Sequence, residues 1–378
     1  VKPTADAKTI LHVIDTTGPG GAETVFIQLA DQLRQRGYRS VVVIRGPGWV
    51  CDQLVARGLQ PHIIEAKGSF NWRFLRALLR LIRSERVDVI QSHLLGSNVY
   101  CALAGLIARK PVIATFHGMV DVGPNERFRA FKLWALNRGV SRFVAVSNSL
   151  RDAIARAGLL DAARCEIVYN GIDLTRYGKS DERALRTRLA LPATAVLIGS
   201  LGNIRPAKGY DLLIRAARHI VDRFPQAHFV VAGEPKSSLQ RELDALAREL
   251  RVDGHVHFVG FCADSAAFLG QLDIFVLSST SEGLSIATVE ALATGLPVVA
   301  TRCGGPEEII ADDRDGMLVA IDAIALAEGV ATLLDDAGRA ERLAQTGRRT
   351  VRERFDGDAM LDAYCRLYVS VAGRAGTL

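Results

Sequence analysis

Short apolar runs alternate with amphipathic stretches along nearly the whole chain, and this alternation constrains the fold more than any other feature. Segments 10–15, 40–45, 62–65, 87–91, 112–115 and 142–147 read as strands in the first half. Segments 195–201, 227–232, 256–259, 273–277 and 297–301 read as strands in the second. Between them, stretches such as 23–36, 74–83, 210–223 and 239–250 repeat apolar residues at helical spacing. Strands separated by helices are joined by crossovers, which predicts mainly parallel sheets covered by helices. Two such blocks in series make an α/β chain of two Rossmann-like domains, 1–175 and 176–355, followed by a last segment 356–378 with a helix near 358–371. The join is expected around Asn170-Gly171-Ile172-Asp173 and the polar stretch to Asp181. A length of 378 residues suits two cores of this size.

Several classes fall away on composition. No apolar run reaches the length of a membrane-spanning helix; the longest candidate, Val99 to Ala108, stops at Arg109-Lys110. Lys2, Asp6 and Lys8 at the start do not read as a secretory signal. The six cysteines, at 51, 101, 165, 262, 303 and 365, are scattered without C-x-x-C spacing. They are expected as reduced core thiols of a cytosolic protein. Net charge is +9 over residues 1–175 and −3 over the remainder. Arg73, Arg76, Arg80 and Arg83 line one face of a helix that also carries Trp72 and Phe74, within the stretch from Phe70 to Arg83. Arg127, Arg129, Lys132 and Arg138 surround Phe128, Phe131 and Trp134 in a second basic region. A crossover helix with a solvated arginine face explains the first; together the two are compatible with peripheral contact on an anionic membrane. Nucleic acid is not expected, because recognition helices and aromatic platforms are missing.

The chemistry concentrates at loops that leave strands. After the run ending at Leu277, Ser278 to Pro297 places Glu282 and Glu290 eight residues apart around a strand–loop–helix junction. Gly283 and Leu284 belong to the loop, and Ser285 and Ile286 to the helix start, where unpaired N–H groups and the dipole favour phosphate. Carboxylates there can accept from the vicinal hydroxyls of a sugar or ribose. Gly202-Asn203-Ile204-Arg205-Pro206-Ala207-Lys208-Gly209 follows the first strand of the second half, and its two cations suit a diphosphate. Gly20 and Gly21 follow the first strand of the chain, either as a ligand loop or as plain turn glycines. Glu23 and Arg45 stand where a redox dinucleotide fingerprint needs other residues, so such a cofactor is disfavoured. His117 sits at the carboxyl end of a strand beside Gly118, as a satisfied structural histidine or as a site residue. Ser147 reads as a helix cap. Gly233 and Glu234 end one further strand, and Gly260, Phe261 and Cys262 another. Asp312-Asp313 and Asp335-Asp336 read as turns, not metal ligands.

Taken in order, from Gly20-Gly21 through His117, Lys208-Gly209 and Glu282-Gly283…Glu290 to Gly304-Gly305-Pro306-Glu307, these motifs resemble glycosyltransferase family 4. The resemblance implies a GT-B fold, two Rossmann-like domains facing across a cleft, with the last helix returning to the N-terminal domain. It implies acceptor binding by the first domain and nucleotide-sugar binding by the second. On the matching positions, His117, Arg205, Lys208 and Glu282 would be catalytic. Gly20, Gly21, Gly202, Gly260, Phe261, Cys262, Gly283, Leu284, Ser285, Ile286 and Glu290 would bind the donor. The implied reaction moves a sugar with retention from a nucleotide sugar, UDP-linked before GDP-mannose, to a glycan or lipid-linked glycan in cell-surface polysaccharide synthesis. It needs neither cofactor nor metal, and takes place in the cytoplasm or at the inner membrane face. One departure stands out: Asn203 occupies the place of the family's usual arginine, and Arg205 lies two residues later. A nucleotide-sugar 2-epimerase of the same fold and a non-catalytic nucleotide-sugar-binding partner subunit are the alternatives.

Overall fold

The computed structural model describes residues 8–65, 71–118, 127–158, 160–180, 183–235 and 237–372. Lys2, Asp6, Phe70 and Asp181, named above, lie outside the described residues. The chain divides into two compact units, residues 1–170 with 358–378, and residues 171–357.

The first unit is built on seven strands: β1 Thr9–Ile14, β2 Arg39–Ile44, β3 His62–Ile63, β4 Val89–His93, β5 Val112–Phe116, β6 Arg142–Ala145 and β7 Cys165–Ile167. They form one parallel sheet in the order β3-β2-β1-β4-β5-β6-β7. Its helices are α1 Gly21–Gln32, α2 Trp49–Ala56, α3 Trp72–Ser84, α4 Leu95–Ala108, α5 Arg129–Gly139 and α6 Asn148–Arg156. β1, β4 and β5 are buried at every position, as strands covered on both faces must be. Strand order reverses between β1 and β4, so the loops after these strands part and leave a crevice at their carboxyl ends. The register Ile14↔His93 brings the two strand ends level.

The second unit carries β8 Val196–Leu201, β9 Ala227–Ala232, β10 Val256–Gly260, β11 Ile274–Leu277, β12 Val298–Thr301 and β13 Met317–Val319. These are also parallel, in the order β10-β9-β8-β11-β12-β13. The helices are α7 Ala184–Arg188, α8 Tyr210–Val221, α9 Ser237–Glu249, α10 Ser265–Gly270, α11 Ile286–Thr294, α12 Pro306–Ile309, α13 Ala323–Asp335 and α14 Ala337–Arg354. Here the order reverses between β8 and β11, which sends the 202–209 and 278–285 loops out side by side. One apolar cluster, including Ile214, Phe229, Val276 and Val330, ties α8 and α13 to the sheet.

Short polar side chains start many of the helices. Asn71 accepts from the N–H groups of Arg73 and Phe74, Ser147 from Leu150, Asp264 from Ala266 and Ala267, and Asp322 from Ile324 and Ala325. Ser147 is therefore the cap that its sequence context suggests. The last helix, α15 Gly357–Ala372, buries Tyr364 and Tyr368 completely within the first unit. Burial of side chains this large is worth about 1.5–3 kcal/mol each and outweighs the exposed bridges from Arg36 to Asp358 and Asp362.

Three sheet edges depart from the sequence reading. β7 and β13, three residues each, are too short to show a period, and β3 closes after two residues. The cysteines are free, but of the six only Cys101 is fully buried; the other five are half-buried and not core thiols.

Candidate active site

In the second unit β8 and β11 are direct neighbours, pairing Ile198 with Ile274, so the loops at their carboxyl ends meet. Ser278 Oγ donates to the Lys208 carbonyl (2.9 Å), and the Thr280 N–H donates to the Ala207 carbonyl (2.8 Å). Gly202, at φ 158°, makes room for the lysine, since a Cβ there would lie 2.8 Å from Lys208 Cε. Lys208 Nζ donates to Glu282 Oε1 at 2.7 Å, and Ser279 Oγ donates to the same oxygen at 2.7 Å. Glu282 is held from behind as well: its N–H donates to the Cys303 carbonyl at 3.2 Å. Gly305 has an ordinary helical φ, but a Cβ on it would sit 2.9 Å from Glu282 Cβ. Sterics therefore require glycine at that position. The pair is mostly buried, with side-chain exposures of 23 % and 13 %. A phosphate approaching Lys208 would compete with Glu282 for its charge.

Arg205 heads the 3-10 turn Pro206–Lys208 and is exposed, with no ion pair among the described residues. Asn203 does a different job: its Oδ1 accepts from the Glu234 N–H at 3.2 Å and ties this loop to the one after β9. Arginine has no acceptor atom and could not make that bond.

Gly283 and Leu284 complete the loop, with Leu284 buried. Ser285 caps α11; its Oγ accepts from Thr288 N–H (3.3 Å) and from Thr288 Oγ1 (2.9 Å). Both bonds use the acceptor side of the hydroxyl, so its O–H stays a donor beside the backbone N–H groups from Ile286 onward for an anion at this helix end. One turn further in, Glu290 is 8 % exposed. Its Oε1 accepts from Tyr177 OH at 2.6 Å and from Ser265 Oγ at 3.1 Å. Burial pushes the Glu290 carboxyl above its ordinary range, against the pull of those two donors. The Tyr177 hydroxyl is raised as well, first by burial and then by the carboxylate it faces. Tyr177 and Ser265 carry no sequence signal; they lie 113 and 25 residues from Glu290.

At the far end of the sheet, Gly260 takes φ 79° at a break in the β9–β10 register, and its carbonyl accepts from the Gly233 N–H at 2.8 Å. Phe261 is exposed, and Cys262 Sγ–H donates to the Asp264 carbonyl at 3.1 Å. Burial raises the Cys262 thiol, so it remains protonated and unreactive. The paired aspartates are engaged elsewhere. Asp312 binds Arg302, Asp313 binds Arg339 and Asp335 binds Arg223, while Asp336 caps α14. Asp335 and Asp336 thus sit at helix ends and not in a glycine turn. Among the described residues no cluster of three or more His, Cys, Asp or Glu is arranged to hold a metal.

In the first unit Gly20 precedes α1 with an extended backbone, and the Glu23 carboxylate folds back over it where a Cβ would otherwise stand. Glu23 stands at the third helical position and fills the space beside Gly20, but no side chain caps this helix by a hydrogen bond among the described residues. His117 follows β5 and stacks on His93, which ends β4 (ring centroids 5.2 Å apart). His93 Nδ1 lies 3.0 Å from His117 Nε2. Gln91 fixes the protons: its Oε1 accepts from Tyr368 OH (3.3 Å) and its Nε2 donates to Thr115 Oγ1 (2.9 Å). That Nε2 is also 3.3 Å from His93 Nε2, which must accept. His93 therefore carries its proton on Nδ1 and donates it to His117, leaving the His117 proton on Nδ1. Desolvation holds His117 down to about 4 and His93 well below the usual histidine range, so both are neutral at pH 7. Leu94, at φ 71° and ψ 154°, turns the chain sharply just after His93, a conformation costing about 1–3 kcal/mol. The signal for His93 lay in its position, at the carboxyl end of a strand like His117.

The two basic regions are also placed. Arg73, Arg76, Arg80 and Arg83 are all exposed along α3; Trp72 joins them on the outside, 64 % exposed, while Phe74 is buried. Phe128, Phe131 and Trp134 are exposed at α5, with Phe131 stacked on Trp134 and the Arg127 guanidinium over Phe128. Among the described residues no helix is long and apolar enough to cross a membrane.

Comparison with known proteins gives two family matches that together span most of the chain. Residues 19–176 match Glycosyltransferase Family 4 and residues 181–350 match Glycosyl transferases group 1. The D-inositol 3-phosphate glycosyltransferase of Xylanimonas cellulosilytica is 30 % identical over 303 residues, 74 % of this chain and 72 % of that one. The lipopolysaccharide core biosynthesis glycosyltransferase LpsE of Rhizobium meliloti is 29 % identical over 368 residues, covering 93 % and 96 %. A crystal structure of Anabaena HepE in complex with UDP and glucose superposes with a TM-score of 0.87 at 24 % identity, covering 96 % and 99 %. That likeness shows the same GT-B fold.

Proposed function

We propose, from the premise that this chain belongs to glycosyltransferase family 4 and is a glycosyltransferase, that it moves a sugar from a UDP-sugar to a lipid-linked glycan in cell-surface polysaccharide synthesis, with retention of configuration. The observation that carries the reading is the Lys208–Glu282 pair at the switch point of the second sheet, beside the Ser285-capped start of α11. There a mobile cation, a carboxylate and a helix N-terminus come to one loop cluster, the set a diphosphate with an attached sugar needs. HepE is described with UDP and glucose, and LpsE acts in lipopolysaccharide core biosynthesis; these favour UDP and a lipid-linked acceptor here. GDP-mannose is the second donor to try.

In this reading Glu290 accepts from the ribose hydroxyls, and Phe261, Cys262 and Gly260 border the base. Lys208 and Arg205 neutralise the charge that grows on the diphosphate as the bond from sugar C1 to phosphate oxygen breaks. Lys208 leaves Glu282 as it does so, freeing that carboxylate for a donor-sugar hydroxyl. The acceptor oxygen forms the new bond to C1, and its proton passes to the departing diphosphate, so no protein nucleophile is required. His117, neutral at pH 7, contributes to the donor-sugar site as a polar group and not as a cation. Gly20 and Gly21 belong to the donor-binding set. The exposed aromatics and arginines of α3 and α5 support a cytoplasmic protein resting on the inner face of an anionic membrane, and no metal or cofactor enters.

The test is donor turnover with and without acceptor. The protein is incubated with UDP-glucose, UDP-galactose and GDP-mannose, alone and with a lipid-linked glycan fraction, and nucleoside diphosphate release is followed. Release that depends on acceptor and disappears in Lys208→Gln supports the reading. Acceptor-independent conversion of the donor would instead indicate an epimerase, and donor binding without turnover a non-catalytic partner.

A further inference from the structure

We propose that a cationic cavity of about 450 Å³ at the carboxyl-terminal ends of α3 and α4 is a binding site for a phosphate ester. It belongs to the first unit and to none of the loops discussed above. Arg83, Arg86, Arg109 and Lys110 line it, with Ile107 as an apolar wall and Asp88 as the one acid. None of the four cations makes an ion pair among the described residues. Glu85, the acid nearest in sequence, is already paired with Arg39, and Asp88 Oδ2 accepts from the Thr9 N–H at 2.8 Å.

Positive residues at helix ends have an ordinary explanation, because they offset the dipole. The magnitudes decide against it as the whole account. Two helix ends present roughly half a negative charge each, and Asp88 adds one, so about two of the four positive charges are left over. A phosphate ester carries roughly one to two negative charges. The chain conformation points the same way. Both helices end in a left-handed turn, with the Val87 N–H reaching the Ile82 carbonyl (3.0 Å) and the Lys110 N–H reaching the Gly105 carbonyl (2.9 Å). The left-handed residue of such a turn is usually glycine, yet here it is Arg86 (φ 51°) and Arg109 (φ 54°). A left-handed arginine by itself signals nothing, since Arg251 (φ 55°) follows α9 in a similar conformation. What singles out Arg86 and Arg109 is that both line one cavity with two further unpaired cations. Backbone preference is given up twice at the place where charge accumulates.

The exposed arginine row of α3 runs from Arg73 to Arg83 and ends at this cavity, so a phosphate ester held on a charged surface would be led into it. Inorganic phosphate fills only a fraction of the volume, which leaves room for the alcohol of the ester against Ile107. The site does not rest on the transferase reading and stands or falls separately.

The sign of one substitution pair separates function from folding. Arg86→Gly with Arg109→Gly removes two charges and gives both turns their preferred residue, so its melting temperature is expected to equal or exceed that of the parent. Binding is expected to weaken by about tenfold or more. The probes are glycerol 3-phosphate by calorimetric titration, and flotation with phosphatidylglycerol-containing against neutral phosphatidylcholine vesicles. Arg349→Gln with Arg352→Gln, two exposed arginines of α14, is the charge-matched control and is expected to bind as the parent does. Binding of glycerol 3-phosphate assigns a soluble ester, and binding of phosphatidylglycerol vesicles alone assigns a lipid headgroup; either supports the site. Unaltered binding in the glycine pair, an equal loss in the control, or no binding of either probe would overturn it.

Discussion

Replacing Tyr177 by phenylalanine tests how the buried Glu290 is kept. The phenol gives Oε1 its shorter hydrogen bond, 2.6 Å against 3.1 Å from Ser265, while the ring keeps its place and volume. A hydrogen bond to a charged, buried acceptor is worth about 1.5–3 kcal/mol, so the variant should lose that much where Glu290 is ionised. Burial already raises the folded-state carboxyl above the unfolded one. Such a group binds more protons folded than unfolded, so stability declines as pH rises through the folded-state value. Loss of the phenol raises that value further. The deficit of Tyr177→Phe should therefore be smaller at an acidic pH than at an alkaline one, where Glu290 is ionised. Urea unfolding followed by tryptophan fluorescence at both pH values reads it. An equal deficit at both, or none at either, would mean that the phenol does not support an ionised Glu290. Nucleotide affinity of the same variant should fall with the same pH dependence.

Three further outcomes follow from the geometry. His12 is fully buried, neither ring nitrogen has a hydrogen-bond partner among the described residues, and desolvation holds it at about 3. With His93 and His117 also depressed, stability present above the unfolded value near 6.5 should be lost on acidification, at about 1.4 kcal/mol per pH unit for each histidine. His12→Leu should flatten this slope by one histidine and raise stability by about 1–3 kcal/mol; an unchanged slope in urea midpoints against pH would contradict it. Gly305→Ala should displace Glu282 at a steric cost of about 1–3 kcal/mol and weaken the nucleotide sugar more than the free nucleotide in calorimetric titration. An equal loss for both ligands would remove Glu282 from the sugar.

Much of this was legible in the chain, for a definite reason. Fully buried parallel strands such as β1, β5 and β11 are mostly apolar runs, and the loops leaving them carry glycines and charges that stand out against that background. Lys208, Glu282 and Ser285 were therefore visible. β7 and β13 were not, because three residues at a sheet edge show no period. Tyr177 and Ser265 come to Glu290 from other elements, and no local pattern announces such a contact. The same holds for Gln91, Thr115, Tyr364 and Tyr368, which orient His93 and His117 through a network spanning the first unit from β4 to α15. Asn203 was legible as a departure, but its bond to the Glu234 N–H was not.

The most direct test of the central claim is calorimetric titration of the protein with UDP, GDP and ADP and their common sugar conjugates, repeated on Glu290→Ala and Lys208→Gln. A nucleotide-sugar transferase with the site placed here should bind one nucleotide selectively, UDP by this account, and lose that binding in both variants. Failure to bind any of the three, or binding that neither variant weakens, would contradict the site and the donor together.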